Sequence, residues 1–146
     1  MIYWDSCTLL KLYIPETDSD YFLDLIAATE EQVVTSAITS MELLCAFARK
    51  ERNGHIKSGG AKAAFEQFMY DTRHGRIIEV PYGQDVVLQA RNLLELLKSQ
   101  KLLIRSLDMI HLASAVSLKA GAIVTTDDRL RQIAILAKQR LLPQGN

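Results

Sequence analysis

Met1-Ile2-Tyr3-Trp4-Asp5-Ser6 is the stretch on which the fold turns. Four large apolar residues read as a buried strand, and the run stops at an acid that opens a helical pattern over 8–13. Working outward, the same strand-then-helix grammar recurs. Short β-type runs fall at 32–35, 76–80 and 122–125, with helical patterns over 21–28, 41–52, 61–73, 85–100, 108–119 and 130–138 between and after them. Val86, Ala90, Leu93, Leu94, Leu96 and Leu97 fall at helical spacing, as do Ile110, Ala113, Val116 and Ser117. Pro15 is expected to end the first helix, and Gly121 to sit just past the end of the helix at 108–119. Asn53-Gly54 to Ser58-Gly59-Gly60 reads as a loop between two helices. Strands alternating with helices of this length predict an α/β fold: a mostly parallel sheet, covered on both faces, with helices predominant.

Composition sets the outer bounds. The 146 residues suit one domain, 1–146, large enough to bury a core without staples. Hydrophobic residues make up 49% and charged residues 23%, which excludes a disordered chain. No apolar run approaches the ~20 residues that span a bilayer. No basic region precedes the first apolar run, so no signal peptide is expected. Cys7 and Cys45 supply neither a disulfide framework nor a four-ligand zinc site, and both are expected to pack as small hydrophobes. A reducing, cytoplasmic setting is the expectation. Lys and Arg number 17 against 17 Asp and Glu, so the whole surface is not built to grip nucleic acid. Charge is nonetheless uneven: residues 1–31 carry one Lys against seven acids, and residues 49–76 carry seven basic residues against three acids. Arg129, Arg131, Lys138 and Arg140 form a second basic run. Both runs read either as solvated helix faces or as a binding patch.

The informative pattern is where four carboxylates stand. Asp5 closes the first strand run, and Glu42 lies in Thr39-Ser40-Met41-Glu42-Leu43 after the second. Asp108 opens a helix, and Asp127 follows the last strand run with Asp128 beside it. Acids in a first helical turn cap free N–H groups, Thr39 with Glu42 has capping-box spacing, and Ser106 is placed to cap the helix of Asp108. Capping does not predict that all four acids share a cleft. In an open parallel sheet, sites form beyond the carboxyl ends of the strands, where these acids would meet. Clustered carboxylates repel unless cations intervene, and hard Mg²⁺ or Mn²⁺ prefers such oxygen ligands.

These blocks resemble a known family. Met1-Ile2-Tyr3-Trp4-Asp5-Ser6, followed by Leu9-Leu10-Lys11-Leu12-Tyr13 and Glu16, is similar to the opening of PIN domains, especially VapC-type toxins. Thr39-Ser40-Met41-Glu42 is similar to the second acidic block of that family. Leu107-Asp108-Met109-Ile110-His111-Leu112-Ala113-Ser114-Ala115 matches the third, and Val124-Thr125-Thr126-Asp127-Asp128-Arg129-Leu130 the fourth. The ordered set spans nearly the whole chain. The resemblance implies a PIN-like three-layer α/β/α fold, a four-acid Mg²⁺ or Mn²⁺ site and endoribonuclease activity on RNA. It also implies a cognate antitoxin as partner, and a homodimer. Carried over by position, the acids are Asp5, Glu42, Asp108 and Asp127, with Asp5 and Asp108 as direct ligands and Glu42 and Asp127 direct or through water. The chain departs from the pattern at Trp4, where a small aliphatic is usual, at Thr126, where a bulkier side chain is common, and at Asp128, an extra acid.

Other residues take their roles from this frame. Ser6 and Thr125 are expected to orient the carboxylates, with local capping as the alternative. Lys11 is expected near a phosphate, or paired with Glu16. His111, three residues after Asp108, reads as a packed, hydrogen-bonded histidine rather than a ligand, and His55 and His74 read as surface. Leu43, Leu44, Phe47, Phe65, Phe68, Met69 and Tyr70 are expected either to form a groove for a partner helix or to complete the core. The leading reading is a metal-dependent ribonuclease of toxin type, and the alternative is a catalytically silent PIN-like interaction module. A dinucleotide-binding fold lacks any Gly-x-Gly-x-x-Gly.

Overall fold

Alternation along the first strand splits the core in two. In β1 (Ile2–Trp4), Ile2 and Trp4 point to one face of the sheet and Tyr3 to the other, and all three are buried. Runs this apolar cannot have a wet face, so helices cover both sides. The structure, a computed structural model, describes residues 1–144. It adds β2 (Val33–Ser36), β3 (Ile77–Val80), β4 (Ile123–Val124) and β5 (Leu141–Leu142), in the order β3-β2-β1-β4-β5. Every strand pairing is parallel. The four predicted strand runs are present; β5 is a two-residue addition too short to show a period.

The helices are α1 (Ser6–Leu10), α2 (Ser19–Ala28), α3 (Ile38–Arg52), α4 (Gly60–Arg73), α5 (Gln84–Leu97), α6 (Ser106–Ser117) and α7 (Asp128–Leu136). Leu9, Phe22, Leu43, Phe47 and Phe68, from α1 to α4, pack on the face carrying Ile2 and Trp4. Val86, Leu93, Leu112, Leu130 and Ile133, from α5 to α7, pack on the face carrying Tyr3. The result is the three-layer α/β/α arrangement, with a short, wholly parallel sheet. The chain builds outward from β1 through β2 to β3, then returns to place β4 on the other side of β1. Strand order therefore reverses between β1 and β4, and a crevice opens at their carboxyl ends.

Several local expectations are corrected. The first helix stops at Leu10 and continues as turns, so it ends well before Pro15. Helix α3 starts immediately after β2, which puts Thr39 inside it. The buried Thr39 hydroxyl pairs with Thr35 Oγ1 at 2.7 Å instead of capping, and no Thr39–Glu42 capping box forms. Ser106 is the first residue of α6 and caps nothing; Arg105 holds the cap position. Lys119, not Gly121, takes the left-handed backbone after α6, with φ 52°. Gly121 instead donates its N–H to the Met1 carbonyl at 2.9 Å. The loop between α3 and α4 is as expected, with Gly54 and Gly59 at φ 74° and 83°, where a side chain would be strained. Trp4 is fully buried, edge-on to Phe22 beneath α2, with its indole N–H unpaired.

Candidate functional site

Asp5 leaves β1 at the crevice and is the N-cap of α1. Its buried carboxylate collects donors from two segments. Oδ1 accepts from the Thr8 N–H at 3.0 Å and the Thr8 hydroxyl at 2.9 Å, and Oδ2 accepts from the Thr125 hydroxyl at 2.5 Å. Cys7 Sγ lies 3.0 Å from both oxygens and donates to them. Burial, with the Asp5 charge behind it, pushes the Cys7 thiol up to about 12, so it stays a protonated donor. Cys7 thus has a polar task rather than the apolar one expected, and Cys45 is exposed on the cleft wall rather than packed. Ser6, expected to orient a carboxylate, makes no such bond; Thr8 and Cys7 hold those places.

Thr125 performs the expected service and a second one. Its hydroxyl also accepts the Asp127 backbone N–H at 3.0 Å, so one side chain fixes both flanks of the crevice. Asp127 is the N-cap of α7 and accepts from the Arg129 and Leu130 amides. Asp128 is the exposed first residue of α7. Asp108, in the first turn of α6, lies close enough to Asp127 to feel its charge. Burial, then Asp127, holds the Asp108 carboxyl above its usual range, against the pull of Arg129. Arg129 spans the pair, with Nε 3.7 Å from Asp108 Oδ2 and Nη2 3.5 Å from Asp127 Oδ2. Asp108 Oδ2 is buried and takes no hydrogen bond. A buried, unpaired carboxylate oxygen is costly, and such an atom marks a place for a cation.

Glu42 lies in the second turn of α3, not at the junction expected, and reaches the same end of the sheet through His111. His111 Nε2 is 2.8 Å from Glu42 Oε2, and Nδ1 is 2.8 Å from the Tyr3 hydroxyl. Burial pulls the imidazole down, but the Glu42 hydrogen bond and charge, with Asp5 and Asp108 beyond, raise it overall. His111 is therefore the packed, hydrogen-bonded histidine expected, although its link to Glu42 was not visible in sequence.

Thr125 thus links Asp5 to Asp127, Asp108 lies near Asp127, and Glu42 is held through His111. Among the described residues no three Asp, Glu, His or Cys side chains are gathered tightly enough to hold a metal ion. Repulsion explains this: without a cation, each carboxylate is more stable against its own N–H, O–H or guanidinium partner. The donor chemistry, all carboxylate oxygens with the buried Asp108 Oδ2 left unpaired, fits a hard divalent cation.

A cleft of about 870 Å³ opens over Glu42 and Cys7, with α1 on one side and the outer face of α3 on the other. Met41, Glu42, Cys45, Arg49 and Asn53 follow one another down its wall, and His55 lies at the far end. Lys11 lines it too, but its ammonium is paired with Asp18 at 2.5 Å and Glu16 at 3.6 Å. Lys50 is also paired with Glu16, which leaves Arg49 as the freer cation of this wall. In the C-terminal basic run, Arg131 donates to the carbonyls of Thr125 and Pro143 and serves the fold rather than a patch. Of the two expectations for α3 and α4, a partner groove or the core, the core takes five of the seven residues, Phe65 and Met69 only in part, and leaves Leu44 and Tyr70 exposed. Leu43, Phe47 and Phe68 are fully buried and complete the core, while Tyr70 stacks on exposed His74.

The PIN domain family model matches residues 2–136. The chain belongs to the PIN domain family. Solved structures similar to this PIN domain include VapBC2 from Rickettsia felis bound to a promoter DNA fragment, with a TM-score of 0.70, 17% identity and 97% of each chain covered. FitAcB from Neisseria gonorrhoeae gives 0.67 and 19%, covering 97% of this chain and 96% of that one. VapBC-1 from nontypeable Haemophilus influenzae gives 0.68 and 19%, with the same coverage. At these identities the likeness is one of fold. No curated protein matches this PIN domain significantly in sequence. No helix among the described residues is long and apolar enough to cross a membrane.

Proposed function

We propose that this PIN domain is a Mg²⁺- or Mn²⁺-dependent endoribonuclease, the toxin of a toxin–antitoxin pair. The observation that carries the reading is Asp108: a buried carboxylate oxygen without a hydrogen bond, beside Asp127, at the crevice where strand order reverses. Asp5 and Asp108 are the direct metal ligands in this reading, with Glu42 and Asp127 completing the set directly or through water. When bound, such a cation polarises a phosphoryl oxygen and acidifies a coordinated water. The protein supplies the rest. Thr125, Thr8 and Cys7 hold Asp5 in place, and Arg49 and His55 along the cleft offer contacts for a phosphate backbone. The solved neighbours are VapBC and FitAB assemblies, which supports a small antitoxin as partner. A homodimer and a cytoplasmic setting belong to the same reading.

Incubation with total RNA and Mg²⁺, Mn²⁺ or EDTA tests the activity. Discrete cleavage with metal, abolished by EDTA and by Asp108→Asn, is expected. Metal-independent cleavage, or none at any metal concentration, overturns it. The silent interaction module is favoured by one observation, the Arg129 side chain lying across Asp108 and Asp127 in place of a cation. A protein that binds its partner but never cleaves RNA would establish that second reading.

A further inference from the structure

Three side chains from three elements form one hydrogen-bonded chain beneath the cleft. Tyr3 stands on β1, His111 on α6 and Glu42 on α3, and both links measure 2.8 Å. Tyr3 is fully buried and His111 is 4% exposed, whereas Glu42 reaches the cleft wall. Burial holds the Tyr3 hydroxyl far above its usual range, so it remains protonated. An ionised Glu42 can only accept, so His111 Nε2–H donates to it. In the neutral imidazole Nδ1 is then the acceptor, and the Tyr3 hydroxyl donates there. Tyr3 thus engages Nδ1 at 2.8 Å, and its ring packs edge-on to the imidazole with centroids 5.9 Å apart.

A histidine serving only the core would spend both nitrogens inward. This one spends Nε2 on an acid at the cleft. Glu42 Oε2 is occupied by that bond, while Oε1 takes none among the described residues. Glu42 also sits a turn further into α3 than a capping acid, so no helix N–H holds it. We propose that His111 is the positioning residue for Glu42, fixing one carboxylate oxygen so that the other faces the cation and substrate in the cleft. The proposal rests on the metal-dependent nuclease reading. It adds that the third acid works only while the Tyr3–His111–Glu42 chain is intact.

The test is a double-mutant cycle on the full chain, read first as Mn²⁺ affinity by electron paramagnetic resonance and second as RNA cleavage. His111→Leu should weaken Mn²⁺ binding and turnover by about 10–100-fold, the usual loss when a ligand-orienting partner is removed. His111→Gln, whose amide restores a donor near the Nε2 position, should recover most of it. In a Glu42→Ala background His111→Leu should cost nothing further. Melting curves identify any variant that fails to fold, and His111→Asn, whose amide is too short to reach Glu42, then takes the place of His111→Leu in the cycle. Equal losses in both backgrounds, or a His111→Leu protein within twofold of wild type on both readouts, overturn the proposal. Wild-type protein that binds Mn²⁺ but cleaves no RNA sinks the nuclease reading, while the binding cycle still decides His111. Wild-type protein that binds no Mn²⁺ overturns both.

Discussion

Thr125 shows how much of the site hangs on one hydroxyl. It donates to Asp5 Oδ2 and accepts from the Asp127 amide, and the residue is fully buried. Thr125→Val keeps the shape but leaves a buried carboxylate short of a donor. A loss of about 1–3 kcal/mol in urea unfolding is expected, because an unsatisfied buried group costs more than the bond contributed. Asp108 behaves in the opposite sense. Its carboxyl is held above the ordinary 3.8, so between that value and the folded one the native state binds more protons than the unfolded chain. Stability therefore falls as pH rises through this window. Asp108→Asn removes that loss, so metal-free Asp108→Asn should overtake wild type in stability as pH climbs from about 4 towards neutrality, measured by urea midpoints. Some of this was readable in sequence. Asp5 and Asp127 announce themselves because an acid between a strand and a helix is also a cap. Thr8 and the Tyr3–His111–Glu42 chain were not readable as partners: the last two links join residues 108 and 69 positions apart, and no local pattern encodes such a pairing.

Helix α3 separates fold from site along its two faces. Thr39, Leu43 and Phe47 are buried in the core, while Met41, Glu42, Cys45 and Arg49 line the cleft. Phe47→Ala should cost about 3–5 kcal/mol in unfolding free energy, as expected for an aromatic removed from a full core. Met41→Ala, at 63% exposure, should stay within about 0.5 kcal/mol. A large loss at Met41 would mean that the cleft wall is packed rather than open. The apolar spacing of α3 and α4 was legible in sequence, but not which neighbour received it. The same residues suit a partner helix or this chain's own sheet, and only their packing with Ile2, Trp4, Val33 and Ile77 on one sheet face decides for the core. The helix starts differ from the local capping signals for a related reason. Thr39 and Ser106 have capping chemistry, but the chain enters α3 and α6 earlier, and tertiary packing overrides that local preference.

Across the whole molecule, the two core layers meet at a sheet whose strand order reverses between β1 and β4, and Asp5 and Asp127 follow those two strands, linked through Thr125. The strand-and-helix alternation made this architecture legible from sequence, because a parallel sheet requires both faces covered. The convergence of Asp108 with Asp127 was legible only as a rule about strand ends. That convergence has a thermodynamic consequence. In the metal-free protein Asp108 is destabilised by burial and by Asp127, and Arg129, 3.7 Å from Asp108 Oδ2, offsets only part of this. A divalent cation that binds the folded state alone adds stability by mass action, about 2.7 kcal/mol at a hundredfold excess over its dissociation constant. For a chain of this size each kcal/mol moves the melting temperature by about 2–4 °C. Saturating Mn²⁺ should therefore raise the wild-type melting temperature by about 5–10 °C in differential scanning calorimetry, and Ca²⁺ less, since a cleft built for a small cation grips a larger one poorly. Asp108→Asn should start from a higher metal-free temperature and gain little from Mn²⁺. A wild-type temperature unmoved by millimolar Mn²⁺ and Mg²⁺ would mean that the Arg129 guanidinium is the permanent occupant of the crevice, and would turn the reading towards the silent interaction module.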